Sequence, residues 1–174
     1  MKLSDEYEAD GIRVPLALVS TESGLGMIYV AAGDDPAAEL FGSYLFTTSV
    51  DGGRSWSKAV AMAKPMGILE PGMLVDAVSS GKAIFVTYMQ VQGETPQERR
   101  TNWGDNKWIC RQLVSKNAGK SWQTQPLQSE GYGTPAFHRL SISPDGSRVL
   151  LATDVKSQQE SRFKLVIEES VRDE

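Results

Sequence analysis

The loop Arg99-Arg100-Thr101-Asn102-Trp103 joins two guanidinium groups to an indole, a combination that could neutralise and stack on an anionic sugar. Arg13, in Gly11-Ile12-Arg13-Val14-Pro15, could hold a carboxylate through two parallel charge-assisted hydrogen bonds, which lysine cannot imitate. Asp34-Asp35-Pro36 supplies two carboxyl groups, and Glu130-Gly131-Tyr132 sets a carboxylate two residues from a phenol. Each has a plainer reading too. Aspartate before proline favours a turn, a strand-end arginine can serve an ion pair between sheets, and charged loops are mostly solvated. Cys110 is the single cysteine and His138 the single histidine, so no disulfide framework, multi-cysteine metal site or histidine pair is expected. Cys110 reads as a small core residue and His138 as a packed or edge histidine. No metal and no cofactor are implied.

Composition narrows the classes. The 174 residues suffice for a sizeable core, and 40% hydrophobic with 23% charged residues is ordinary for a globular chain. The net charge is −4 with both signs interspersed, so no basic footprint points to nucleic acid. No apolar run approaches the ~20 residues of a membrane-spanning helix. Residues 1–10, Met1-Lys2-Leu3-Ser4-Asp5-Glu6-Tyr7-Glu8-Ala9-Asp10, read as a polar leader without the apolar stretch of a signal peptide. The default expectation is the cytoplasm.

What would position these groups is a repeated turn. Ser49-Val50-Asp51-Gly52-Gly53-Arg54-Ser55-Trp56 returns as Ser115-Lys116-Asn117-Ala118-Gly119-Lys120-Ser121-Trp122. Both read Ser-x-(Asp/Asn)-x-Gly-(Arg/Lys)-Ser-Trp. Gly53 and Gly119 suit a left-handed backbone, and the Asp51 or Asn117 side chain can accept bonds from the turn's own amides. Around these octapeptides, alternating apolar and β-branched runs bounded by Gly, Pro, Asn and Asp predict strands, with no helical stripe. Strands are expected near 12–20, 27–32, 43–49 and 56–63, then 74–79, 83–91, 108–115 and 122–127. A third set lies near 137–143, 149–153 and 163–168. The chain therefore reads as all-β, nearly three four-stranded antiparallel meanders at about 11–64, 73–128 and 136–174. Asp145, in Ser143-Pro144-Asp145-Gly146, belongs to a hairpin and not to a third octapeptide, because Gly-x-Ser-Trp does not follow.

In a meander, successive turns alternate between the two ends of the sheet. The short hairpins and both octapeptides share one end. The second-to-third loops and the linkers share the other, which would display Arg13, Asp34, Asp35, Glu70, Arg99, Arg100, Trp103, Glu130 and Tyr132. Loops on a rigid scaffold are where function concentrates.

The octapeptides resemble the Asp box, or bacterial neuraminidase repeat, of sialidase-type β-propellers. Gly11-Ile12-Arg13-Val14-Pro15 is similar to the (Tyr/Phe)-Arg-Ile-Pro motif that opens the sialidase domain, with Ile12 in the aromatic position and Val14 for Ile. Glu70-Pro71-Gly72-Met73-Leu74-Val75-Asp76 resembles the start of that family's second blade. The resemblance covers roughly residues 11–128. It implies a six-bladed radial fold, with Ser49, Asp51, Gly53, Trp56, Ser115, Asn117, Gly119 and Trp122 serving architecture. It implies that Arg13 is one of three arginines gripping a sialic acid carboxylate, and that Asp34 or Asp35 is the acid/base. It also implies a tyrosine nucleophile paired with a glutamate, as sialidases depart from the two-carboxylate glycosidase pattern. Later blades normally supply that pair and the other arginines. Glu130 with Tyr132, and Arg139, are the stand-ins within this chain.

Propellers close with ~4–8 blades. Three cannot make a ring, so the expectation is a portion of a longer protein, two chains completing six blades, or another stacking of the sheets. Two functions follow: a sialidase-like protein that hydrolyses or binds sialylated or other acidic glycans, or a non-catalytic propeller that binds protein or sugar.

Overall fold

The computed structural model describes residues 13–32, 42–62, 75–91, 97–98, 107–132, 138–143, 145–156 and 163–171. Within them the protein is all-β. The strands are β1 (Arg13–Thr21), β2 (Gly24–Ala32), β3 (Gly42–Ser49), β4 (Val60–Ala61), β5 (Asp76–Ser80), β6 (Ala83–Val91), β7 (Lys107–Ser115), β8 (Gln123–Tyr132), β9 (His138–Ile142), β10 (Arg148–Lys156) and β11 (Phe163–Val171). Every pairing is antiparallel. β1–β4 form one four-stranded meander, and β5–β8 repeat its order. β9–β11 begin a third unit, joined to the second by one bridge between Tyr132 and Lys156. The second and third units therefore share a seven-stranded sheet, where the sequence suggested separate sheets. The fourth strand of the first unit is also shorter than expected. Only Val60 and Ala61 pair with β3, because residues 50–56 are taken up by the corner and Ser57 N–H bonds the Thr48 carbonyl first.

The three units pack through their first strands, β1 on β5 and β5 on β9. Alternation along each strand divides its residues between two neighbours. Between units one and two lies a cluster of Val19, Ile28, Val30, Tyr44, Phe46 and Met62 against Ile84, Val86, Tyr88 and Leu113. Between units two and three, Ala83, Phe85, Cys110 and Val114 meet Leu140, Val149 and Leu151. Cys110 is a small core residue here, as its strand position predicts. The opposite side of unit one carries a third cluster of Met27, Tyr29, Leu45, Trp56 and Ala59. Two side-chain bonds tie the first strands together. The Ser79 hydroxyl donates to the Ser20 carbonyl, and the Asp76 carboxylate accepts the Leu140 N–H at 2.8 Å. Among the described residues no helix is long and apolar enough to cross a membrane.

Candidate functional site

Both octapeptides fold into the same corner. In the first, Ser49 Oγ donates to Asp51 Oδ1 at 2.8 Å and accepts the Gly53 N–H at 2.7 Å. Asp51 Oδ1 accepts the amides of Arg54 and Ser55 at 3.0 and 2.9 Å, and Oδ2 accepts the Ser55 hydroxyl at 2.6 Å. The Trp56 indole N–H returns to the Gly53 carbonyl at 3.2 Å. In the second, Ser115 Oγ accepts the Gly119 N–H at 2.8 Å, Asn117 Oδ1 accepts the Ser121 N–H at 2.9 Å, and the Trp122 indole reaches the Gly119 carbonyl at 3.1 Å. Gly53 and Gly119 both take positive φ, 88° and 84°. Four donors converge on the Asp51 carboxylate, and the Ser55 hydroxyl and amide, then Ser49, hold its pKa down at about 2. Ser143, Asp145 and Ser147 build a smaller version in the β9–β10 hairpin, where the Ser143 hydroxyl and Ser147 amide lower Asp145 to about 2 as well. These groups spend their hydrogen-bonding capacity inside the turn, which is the behaviour of a folding device.

With the hairpins and corners at one end, the opposite end holds the starts of the three packed first strands: Arg13 on β1, Asp76 on β5 and His138 with Arg139 on β9. Arg13 pairs with Ala31, and His138 with Thr153; the side chains of Arg13 and His138 lie outside the described residues. Asp34, Asp35, Arg99, Arg100 and Trp103 lie outside them entirely, as does Glu70. Glu130 and Tyr132 sit on β8, opposite Ile109 and Lys107. β8 is three strands from β5, about 14 Å at sheet spacing, so the backbone places this pair at the outer edge of unit two while Arg13 and Asp76 open inner strands.

Asp76 opens β5 at this end and accepts two backbone amides. Oδ1 accepts its neighbour's Ala77 N–H at 2.9 Å and Oδ2 the Leu140 amide of the third unit. Sequence reasoning passed over it, since its partner lies 64 residues away. Nearby, Tyr44 and Tyr88 pack at 4.8 Å between ring centres across the first unit boundary. Burial raises both phenols, Tyr88 to about 12 despite the opposing Arg111 charge. Burial therefore favours the protonated phenol in both. Among the described residues no cluster of His, Cys, Asp and Glu could hold a metal ion.

No protein-family model matches the chain, and no curated protein matches it in sequence. Solved structures do match in fold. One is the crystal structure of an α-L-arabinofuranosidase from Lactobacillus brevis, with a TM-score of 0.54 at 10% identity. The match takes in 97% of this chain and 55% of that one, so the chain spans about half the length of the enzyme it superposes on. That likeness joins an antiparallel all-β chain to the propeller-type architecture of a glycoside hydrolase.

Proposed function

We propose that this chain is a carbohydrate-directed module of a sialidase-like β-propeller, taking an acidic glycan at the end of the sheets opposite the Ser-to-Trp corners. The observation that carries this reading is the pair of corners closed by the same serine and indole bonds, on meanders whose first strands pack side by side, with Arg13 opening the first of them. That layout leaves one end for loops of varied chemistry. The similarity to an arabinofuranosidase supports a sugar as the ligand class. In the hydrolytic form of the proposal, exo-α-sialidase-type cleavage, Arg13 holds the sugar carboxylate and Asp34 or Asp35 donates the proton. Arg99, Arg100 and Trp103 flank the ligand, and Glu130 with Tyr132 is the weakest assignment, given its place on an outer strand.

A non-catalytic scaffold is the second reading, and Asp76 favours it. Each of its oxygens accepts a backbone amide, one of them from the third unit, so this carboxylate ties two units together. The test is release of a fluorophore from an α-ketoside of sialic acid, with an α-L-arabinofuranoside as the counter-substrate. Turnover of the ketoside that Arg13→Ala removes is the expected result. Binding of sialosides without turnover selects the scaffold, and neither binding nor turnover on either sugar sinks the carbohydrate proposal.

A further inference from the structure

A polar row crosses the second unit inside an otherwise apolar join. Asp76 stands opposite Thr87, Thr87 opposite Gln112, and Gln112 opposite Gln125, so one residue from each of β5, β6, β7 and β8 falls in line. Residues paired directly across antiparallel strands project from the same face of the sheet. That face is the one turned to unit three. The Asp76 carboxylate accepts the Leu140 N–H of unit three, and Thr87 and Gln112 alternate with Phe85, Cys110 and Val114, which pack on that unit. The neighbouring row on the hairpin side, Val78, Phe85 and Val114, is apolar, as are Leu140, Val149 and Leu151, which close the join from unit three. Thr87 is fully buried, and Gln112 is 2% exposed.

The Gln112 side-chain oxygen is buried without a hydrogen-bond partner in the protein, the one such side-chain atom among the described residues. An amide left unpaired in apolar surroundings is less stable there than an apolar side chain of the same size. Where no protein group reaches a buried polar atom, ordered solvent ordinarily serves it. The adjoining ladder is irregular at this level. While β7 advances from Arg111 to Ile109, β8 advances from Pro126 to Glu130, so β8 carries extra residues whose backbone groups stand outside the pairing. We infer that the join between units two and three binds a water molecule that donates to Gln112 Oε1. A neutral donor suits the site and a cation does not. The amide oxygen is uncharged, each Asp76 oxygen already accepts an amide, and among the described residues no cluster of His, Cys, Asp and Glu could hold a metal. A buried water needs about 2–4 polar partners. Gln112 supplies the first, and the Thr87 hydroxyl and Gln125 amide flank it in the row, each with capacity for more than one bond. Gln125 is half-buried and keeps the outer end of the row in touch with solvent. The site lies within the join and does not depend on what the loop end binds.

Oxygen-17 relaxation dispersion on the full 174-residue chain tests this by counting waters held for longer than the protein's tumbling time. The wild type should hold one more than Gln112→Met, which keeps the length of the side chain and removes the acceptor. Gln112→Met should also unfold at lower urea, because the water loses a partner. Far-UV circular dichroism checks that the variant is folded. Equal water counts in the two proteins overturn the inference, and a raised urea midpoint for Gln112→Met would then identify a dry, unpaired amide. If Gln112→Met does not fold, a crystal structure of the wild type decides alone. Density for a water within hydrogen-bonding distance of Gln112 Oε1 supports the site, and a protein donor there, or apolar contact only, overturns it.

Discussion

The two Ser-to-Trp corners share a backbone path and nearly all their hydrogen bonds, yet they live in different surroundings. The second is pressed onto the preceding unit. Trp122 meets the Phe46 ring edge-on at 5.2 Å, Gly119 is buried beneath that ring, and the Ala118 N–H is fixed to the Lys82 carbonyl at 2.8 Å. The first has Trp56 folded onto its own sheet, and its Gly53 backbone is partly open. One motif thus does two jobs. Its internal bonds shape a turn anywhere, and its glycine becomes a packing surface only where another unit arrives.

Glycine replacement breaks that comparison most strongly. Gly119→Ala would put a Cβ 2.0 Å from Phe46 Cε1 at a φ of 84°, combining overpacking with left-handed strain. The cost should be about 2–5 kcal/mol. Gly53→Ala meets only the strain, about 1–2 kcal/mol, as nothing described crowds it. Urea midpoints at one protein concentration read the difference directly, and equal costs would mean that the corners are equally sealed.

The shared serine gives a smaller contrast. Ser115→Ala strips the buried Gly119 amide of its acceptor, worth about 1–3 kcal/mol, whereas the Gly53 amide released by Ser49→Ala is only partly buried and should fall at the low end of that range. Identical midpoint shifts for the two variants would deny the difference in burial.

The corners were legible in the sequence because everything that makes them lies within eight residues: an acceptor side chain, a glycine at positive φ, and an indole that reaches back. Strand order and the positions of ten strands followed from turn chemistry and alternation for the same reason. What stayed hidden acts at long range. The Asp76–Leu140 and Ser79–Ser20 ties span 64 and 59 residues, and no local pattern records them. The Tyr132–Lys156 bridge that merges two units is a meeting of strand ends set by packing, and the brevity of β4 reflects how much chain the corner consumes. The candidate site is less legible than the fold. Arg13, Asp34, Arg99 and their companions stand far apart in the sequence, and periodicity does not fix which such residues meet.

The finest contrast is chemical: Asp51 stands where the second corner has Asn117. With aspartate, the Ser55 hydroxyl donates to Oδ2; with asparagine the bond reverses, and Nδ2 donates to Ser121 Oγ at 2.8 Å. Geometry survives the exchange because serine can turn either way, but only the carboxylate titrates. Its folded pKa of about 2 lies below the ordinary value of 3.8, so the native state holds fewer protons than the unfolded chain as the solution is acidified. The stabilisation is complete above about pH 4 and is lost as pH falls through 2. Asp51→Asn should therefore leave the neutral-pH melting temperature nearly unchanged and flatten part of the acid limb, with Asp145 supplying much of the slope that remains. Asn117→Asp should do the reverse, steepening the loss of stability between pH 4 and 2. Melting curves across that interval decide it, and an Asp51→Asn protein as acid-sensitive as wild type would show that its bonds to Ser49, Arg54 and Ser55 do not favour the charged form.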